Sequence, residues 1–425
     1  MKIASIGRLS TLTEVQDSRI YINSYGMRLH GSFFNSIFYV LLFFTNITVS
    51  ESQGLTAALK NGGAYVETEQ GKVLFDHRTD ERFIPASTIK VATAAAAMHI
   101  LGDSYRFNTK FYRMPNGCLG IFGGGDPSLT SRALEAIAPH ISAKVKRIPC
   151  ILIDNSYFQV STAMDGRSAT SNPYDALNSA FLVNFNTVAV KVLGAGIVLS
   201  GEPETPLTEV GRKRAKSLGK GDHRVNLGTS VEEGGRNGAQ ILAHFLKKYK
   251  TTVAAPVVFG RIPSNSELLY THHSSMTLSE IVAAMLNHST NVTANQIFLV
   301  MGAQKFGAPA TLEKGRRALS SFLASEVGWR NVTIEEGSGL SRSTKVTPRE
   351  MVALLRWFSP YRELLPIEEQ SRVKTGTING VNTLVGYSTL ANGTSIRFAI
   401  LVNSQVPFDY KFKVLRIMRQ ELSKQ

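Results

Sequence analysis

Cysteine is scarce, with 2 residues among 425. Cys118 and Cys150 stand 32 positions apart, a spacing that fits no zinc-binding pattern. One bridge and two separate buried thiols both stay open, and no metal or organic cofactor is implied. Also missing is an apolar run of the roughly 20 residues that a spanning helix needs. The stretch FFNSIFYVLLFF at 33–44 has instead the length of a secretory h-region. Met27-Arg28 just upstream supplies a compact n-region, and TVS ending at Ser50 offers small residues for cleavage. Residues 1–50 are therefore expected to be a signal region, with translation starting at Met27 and the mature chain in the periplasm or cell envelope. An N-terminal core segment and an uncleaved anchor are the alternatives. Low-complexity tracts and 20–50-residue repeats are absent too, which excludes disordered and solenoid classes. Acidic residues are outnumbered 32 to 47, leaving a net charge of +15. That balance suits an anionic partner, and charge alone does not choose among nucleic acid, membrane face and acidic polymer. The basic run GRKRAKSLGKGDHR reads as a solvated loop, so no nucleic-acid partner is assigned.

What the chain does contain is 43% hydrophobic and 19% charged residues, the balance of a globular protein with two to three domains. LTAALKNG reads as a short helix, and GAYVETEQGKVLFDHR as two strands around a turn at Gln70-Gly71. Near the other end, RVKTGTINGVNTLVGYSTLANGTSIRFAILVNS alternates apolar and polar residues and is interrupted by Asn379-Gly380 and Asn392-Gly393. Asn-Gly between alternating runs predicts a three-stranded antiparallel meander, followed by a terminal helix over 408–423, and the N-terminal hairpin can complete the sheet. Thr277 and Glu280 form a capping-box pattern ahead of two helices broken at 289–291. Residues 111–261, with short apolar runs, glycines and turns, suit an inserted and mostly β region.

The stretch FIPASTIKVATAAAAMHIL at 83–101 carries a lysine into an apolar helix. Burying an ammonium costs several kcal/mol unless it is paired or neutralised. A helix beginning at Ser87 puts Lys90 one turn later on the same face, within reach of the hydroxyl. A serine needs an adjacent base to attack at neutral pH, and a lysine with a lowered pKa serves. A helix-capping serine with a snorkelling lysine explains the same pair. Two further pieces decide between them. Ser289-Thr290-Asn291 falls at the helix break and Lys374-Thr375-Gly376-Thr377 opens a strand. With Ser87-x-x-Lys90 they match the ordered trio known from penicillin-binding proteins and class A β-lactamases. In that scheme Ser87 attacks a carbonyl and Lys90 takes its proton. Ser289 relays a proton to the departing amine and the Asn291 amide holds a substrate peptide group. Lys374 keeps Lys90 neutral and attracts a carboxylate, which the Thr375 and Thr377 hydroxyls bind. Gly376 lets substrate backbone approach the strand. The backbone N–H groups of Ser87 and Thr377 form an oxyanion hole worth about 3 kcal/mol per donor.

Beyond the trio, GGGDPSLTS at 123–131, NSAFLVNFNTVAVKV at 178–192, EGSGLSR at 336–342 and GVNTLVGY at 380–387 resemble the class C low-molecular-mass penicillin-binding proteins. These are the D-alanyl-D-alanine carboxypeptidase/endopeptidases of the penicillin-binding protein 4 type. The resemblance implies an α/β (α+β) penicillin-recognising fold, an antiparallel sheet flanked by helices, formed by 51–110 and 262–425 around the inserted region 111–261. It implies a serine carboxypeptidase and DD-endopeptidase acting on peptidoglycan stem peptides through an acyl-enzyme, and acylated by β-lactams. It also implies that Asp126 and Arg342 hold the zwitterionic end of a diaminopimelyl side chain, and it leaves peripheral contact with an anionic envelope surface open.

The chain departs from the family pattern at Thr290, in the middle of the second motif, at Glu336, where relatives often have Asp, and in the 31 residues between Arg342 and Lys374, a short segment for the family. The alternatives are a catalytically silent peptidoglycan-binding homologue and a serine β-lactamase. Against the latter, no Glu-x-x-Leu-Asn stretch is present, and Asp175-Ala176-Leu177-Asn178 is only an echo of it.

Overall fold

The computed structural model describes residues 54–160, 164–194, 196–228, 230–254 and 256–424; the expected signal region 1–50 lies outside them. The N-terminal hairpin and the C-terminal meander build one sheet in the order Ile367–Glu368, Ser371–Ile378, Val381–Thr389, Ser395–Val402, Gly62–Thr68, Val73–His77. Every neighbouring pair in it is antiparallel. The two-residue strand at 367–368 pairs only with 371–372, so the strand edge from Lys374 to Ile378 stays open. Register sets Gly376 opposite Thr383 and Thr377 opposite Asn382.

Both faces of the middle strands are buried because helices cover the sheet on both sides. On one face Val385, Tyr387, Ala399 and Leu401 pack with the helices Lys90–Leu101, Asn291–Phe306 and Pro348–Phe358. On the other, Leu384, Phe398 and Ile400 meet Leu55, Val414 and Met418 of the terminal helices Leu55–Leu59 and Tyr410–Leu422. The Lys90–Leu101 helix is buried on every side from Lys90 to Met98, which explains its alanines: a central helix has no polar stripe and needs small side chains where neighbours approach closely. A fully buried carboxylate, Glu67, is paired with its cross-strand partner Arg397 at 3.0 Å and with Arg356. The pair ties the sheet to the Pro348–Phe358 helix, itself opened by a Thr347/Glu350 capping box.

The inserted region departs from the mostly β expectation. Its main sheet runs Val257–Phe259, Ile151–Asp154, Leu119–Gly123, Asn108–Arg113, Glu267–His273, with parallel pairs at 151. Two long helices, Ser131–Lys144 and Val231–Lys248, pack on it, and a smaller sheet carries the helix Glu209–Ala215. The helices escape a sequence reading because one contains Pro139 and the other Gly234, Gly235 and Gly238. A Cβ on Gly238 would lie 2.7 Å from the Val183 side chain, so these glycines mark close packing and not turns. Pairing of 108–113 with 267–273 places the stem of the insertion slightly outside 111 and 261. The basic run at 211–224 covers the end of the Glu209–Ala215 helix, a loop at 216–220 and the start of the Gly221–Asn226 strand, with Arg214 and Lys213 paired to Glu233. Cys118 and Cys150 form a disulfide. No helix among the described residues is long and apolar enough to cross a membrane.

Candidate active site

Ser87 lies in a 3-10 turn, Ala86–Ile89, and the α-helix proper begins at Lys90. The geometry differs from a helix that starts at Ser87, yet a 3-10 turn brings residues i and i+3 onto one line, and Lys90 Nζ stands 2.8 Å from Ser87 Oγ. Ala86 takes φ +48°, a left-handed conformation rare for a residue with a Cβ. It is held there because Gly339, with no side chain, packs on it: a Cβ at Gly339 would fall 2.0 Å from the Ala86 carbonyl oxygen.

Lys90 is 0% exposed, and its Nζ also bonds Asn291 Oδ1 and the Ser338 carbonyl, each at 2.7 Å. Both of those oxygens can only accept, so two N–H bonds of the amine are committed to them. In the neutral amine the remaining position is a lone pair, and it faces the Ser87 hydroxyl. Burial drives the Lys90 pKa well below its ordinary value, and the charge of Lys374 pushes the same way against the opposing pull of Glu336. Lys90 is thus placed to accept the Ser87 proton when its amine is neutral.

The Ser338 carbonyl is aimed by a buried loop. Glu336, fully buried, accepts from Ser338 N and Oγ at 2.7 and 2.5 Å and from Gly339 N at 2.6 Å. Asn295 Oδ1 accepts from Gly337 N at 2.7 Å, and the Thr93 hydroxyl donates to Gly337 O at 2.7 Å. None of Glu336, Ser338, Asn295 and Thr93 was singled out from sequence as a site residue. The stretch EGSGLSR at 336–342, one of those that carry the family resemblance, is the signal in the sequence that points to this loop.

Lys374 is 1% exposed and donates to Thr375 O at 3.0 Å. Burial lowers it to about 8, with Glu368 opposing and Lys411 reinforcing the shift. Gly376 faces inward: a Cβ there would lie 2.2 Å from Thr383 Oγ1, 2.7 Å from Pro85 O and 3.1 Å from Ser87 N. The glycine therefore seats the strand against the Ser87 turn, a packing duty distinct from the substrate approach expected of it, and it brings the backbone after Gly376 alongside the Ser87 N–H. Thr375 and Thr377 share one face of the strand, and Thr377 is exposed.

Ser289 caps the Leu278–His288 helix in the left-handed conformation, φ 53°. Among the described residues its hydroxyl makes no hydrogen bond to Ser87 or Lys90. It lines, with Thr290 and Asn291, a cavity of about 890 Å³ whose other wall is the insertion, including Tyr174, Phe185 and Arg132. Arg342 is exposed and donates to Asn379 O at 2.9 Å, at the turn that ends the Lys374 strand. Asp126 makes no hydrogen bond to Arg342 among the described residues. Its carboxyl is 1% exposed, Oδ1 accepts from Ser128 N and Oγ, and Oδ2 is unpartnered. Burial raises its pKa against the Ser128 bonds. Oδ1 thus holds the turn, while Oδ2 is left without a protein partner.

A D-alanyl-D-alanine carboxypeptidase DacB from Haemophilus influenzae is 24% identical to this chain, over 91% of it and 94% of the relative. A D-alanyl-D-alanine carboxypeptidase from an Actinomadura species is 25% identical over 84% and 79%. The crystal structure of penicillin binding protein 4 from Haemophilus influenzae superposes with a TM-score of 0.72 at 21% identity, covering 87% of this chain and 98% of that one. The family model for D-Ala-D-Ala carboxypeptidase 3 matches residues 54–206 and 215–371, which include Ser87, Lys90, Ser289 and the Ser338 loop. The chain belongs to the D-Ala-D-Ala carboxypeptidase 3 (S13) family.

Proposed function

We propose that the protein is a serine D-Ala-D-Ala carboxypeptidase of the cell envelope, with DD-endopeptidase activity, that acts on peptidoglycan stem peptides and is acylated by β-lactams at Ser87. The observation that carries this reading is the fully buried Lys90, whose Nζ lies 2.8 Å from the Ser87 hydroxyl. The carboxypeptidase names of the two relatives point the same way.

Ser87 Oγ attacks the carbonyl carbon of the penultimate D-alanine and its proton passes to Lys90 Nζ. The oxyanion is stabilised by the backbone N–H groups of Ser87 and Thr377. Collapse breaks the C–N bond, and the proton returns from Lys90 to the departing D-alanine amine, with Ser289 on the side of the site where that amine leaves. Water then attacks the ester and restores Ser87. Lys374, Thr375 and Thr377 hold the free carboxylate, and Asn291 the peptide group. Lys374 adds positive charge that keeps Lys90 neutral. A β-lactam ring opens by the same attack, and its carboxylate takes the same seat. The β-lactamase alternative needs a carboxylate free to activate water. Glu336, which faces Lys90 across the Ser338 turn, has both oxygens engaged by Ser338, Gly339 and Ser341.

The test is D-alanine release from a diacetyl-L-Lys-D-Ala-D-Ala peptide and from pentapeptide muropeptides. The wild type releases it, and Ser87→Ala loses at least about a thousandfold in rate. No release by either protein, with the fold intact by circular dichroism, contradicts the proposal.

A further inference from the structure

Lys411, in the first turn of the C-terminal helix Tyr410–Leu422, is 1% exposed. Its position is electrostatically poor. A helix N-terminus carries partial positive charge and disfavours a cation, and Lys374, a second buried ammonium, raises the local positive potential further. Asp409 is the acid acting on Lys411, and Glu368 acts on Lys374. A buried cation retained against such a field is worth asking about.

The local framework fixes where the ammonium goes. Asn382, the cross-strand partner of Thr377, accepts from Lys411 N at 2.9 Å and donates to the carbonyls of Pro407 and Phe408 at 3.3 and 3.0 Å. The Lys411 side chain then runs over the Phe408 ring, with Nζ 4.2 Å from its centroid. Nζ donates to the Phe408 carbonyl and, at 3.1 Å, to Thr377 Oγ1. A hydroxyl has one proton and two lone pairs. With one lone pair occupied by an ammonium, Thr377 presents its proton as a donor, polarised by the charge behind it.

We infer that Lys411 is a positioning and specificity-determining residue: acting through the Thr377 hydroxyl, it makes that end of the site selective for a free carboxylate on the residue after the scissile bond. The inference rests on the carboxypeptidase reading above and extends it. The two lysines divide the work. Lys374 acts electrostatically on Lys90 as well as on the carboxylate, whereas Lys411, supplied by the C-terminal helix, meets the strand through its hydrogen bond to Thr377 Oγ1. The Ser87–Lys90 pair is not in contact with it, so its removal leaves proton transfer in place.

The test compares hydrolysis of diacetyl-L-Lys-D-Ala-D-Ala with that of the same peptide carrying a C-terminal amide, for wild type, Lys411→Met, Lys411→Arg, Thr377→Val and the Lys411→Met/Thr377→Val double variant. Thermal melts confirm folding in each. Lys411→Met is expected to raise KM for the free acid about tenfold, the size of one charge-assisted hydrogen bond, with kcat within about threefold of wild type. Its rate on the amide is unchanged, so the preference for the acid collapses. Lys411→Arg restores most of the preference, and the double variant is no worse than Thr377→Val alone. An equal loss on acid and amide, a loss confined to kcat, or additive effects with Thr377→Val would overturn the inference while leaving the carboxypeptidase reading in place. Where Lys411→Met alone melts early, the Arg variant and the Thr377→Val acid/amide ratio decide. A wild type inert to both peptides would overturn the parent reading and this one together.

Discussion

Lys90 and Lys374 are both buried lysines of the candidate site, and both are shifted downward by burial, Lys90 the more strongly. Lys90 has two acceptor oxygens fixed on its N–H bonds and a pKa driven well down by burial, as the proposed base requires. Lys374, lowered only to about 8, keeps most of its charge at neutral pH, as the proposed carboxylate seat requires. Acylation by benzylpenicillin requires the first neutral and the second charged. The second-order rate constant is therefore expected to fall as pH rises past about 8, with Lys411, also lowered to about 8 by burial, contributing to the same limb. Lys374→Arg keeps its charge at high pH and is expected to move the limb upward; a wild-type profile flat to pH 10 would contradict the assignment. At this scale the sequence was readable where chemistry sits in contiguous motifs: Ser87-x-x-Lys90, Ser289-Thr290-Asn291 and Lys374-Thr375-Gly376. It was mute on Lys411 and Asn295, which reach the site across 34 and 42 residues of chain through contacts that only the fold creates. Asp126 shows the converse, since its motif matched while the fold buries its carboxyl, which the sequence did not foretell.

Among the elements, the 3-10 turn at 86–89 and the loop at 336–341 form a unit that aims Ser87 and the Ser338 carbonyl at one amine. Gly339 is the contact between them, at φ +85°. Gly339→Ala would strain that backbone and drive a Cβ into the Ala86 carbonyl. We expect a loss of about 2–4 kcal/mol in urea unfolding, together with loss of acylation. A variant within about 0.5 kcal/mol of wild type would show that the loop does not support the nucleophile turn. The hairpin, the meander and the terminal helix were legible from alternation and from the two Asn-Gly turns, because short-range pairing governs them. The inserted helices were not, because the glycines of Val231–Lys248 answer to neighbours such as Val183, and a proline inside Ser131–Lys144 reads locally as a breaker.

Across the whole molecule, three lysines, Lys90, Lys374 and Lys411, titrate in the native state below their unfolded values near 10.4. From about pH 8 to 10 the unfolded chain then binds more protons than the native one, and stability rises with pH, by about 1.4 kcal/mol per unit for each neutralised group. Above pH 10 the sign turns, because buried Tyr105 and Tyr387 are shifted upward and keep protons that the unfolded state releases. Calorimetric melts should show Tm climbing between pH 7.5 and 9.5, with a smaller climb in Lys374→Met; a Tm falling steadily across that window would mean that the lysines are charged in the native state. The resemblance read from the three motifs extends to the fold and the family, and what it left unresolved is the detail that long-range packing decides.

The central claim is that Lys90 makes Ser87 a nucleophile. The intact mass of the purified protein, with and without benzylpenicillin, beside a Ser87→Ala control, tests it most directly: one adduct per molecule on the wild type and none on the variant is the result predicted here, and an unmodified, folded wild type would contradict it.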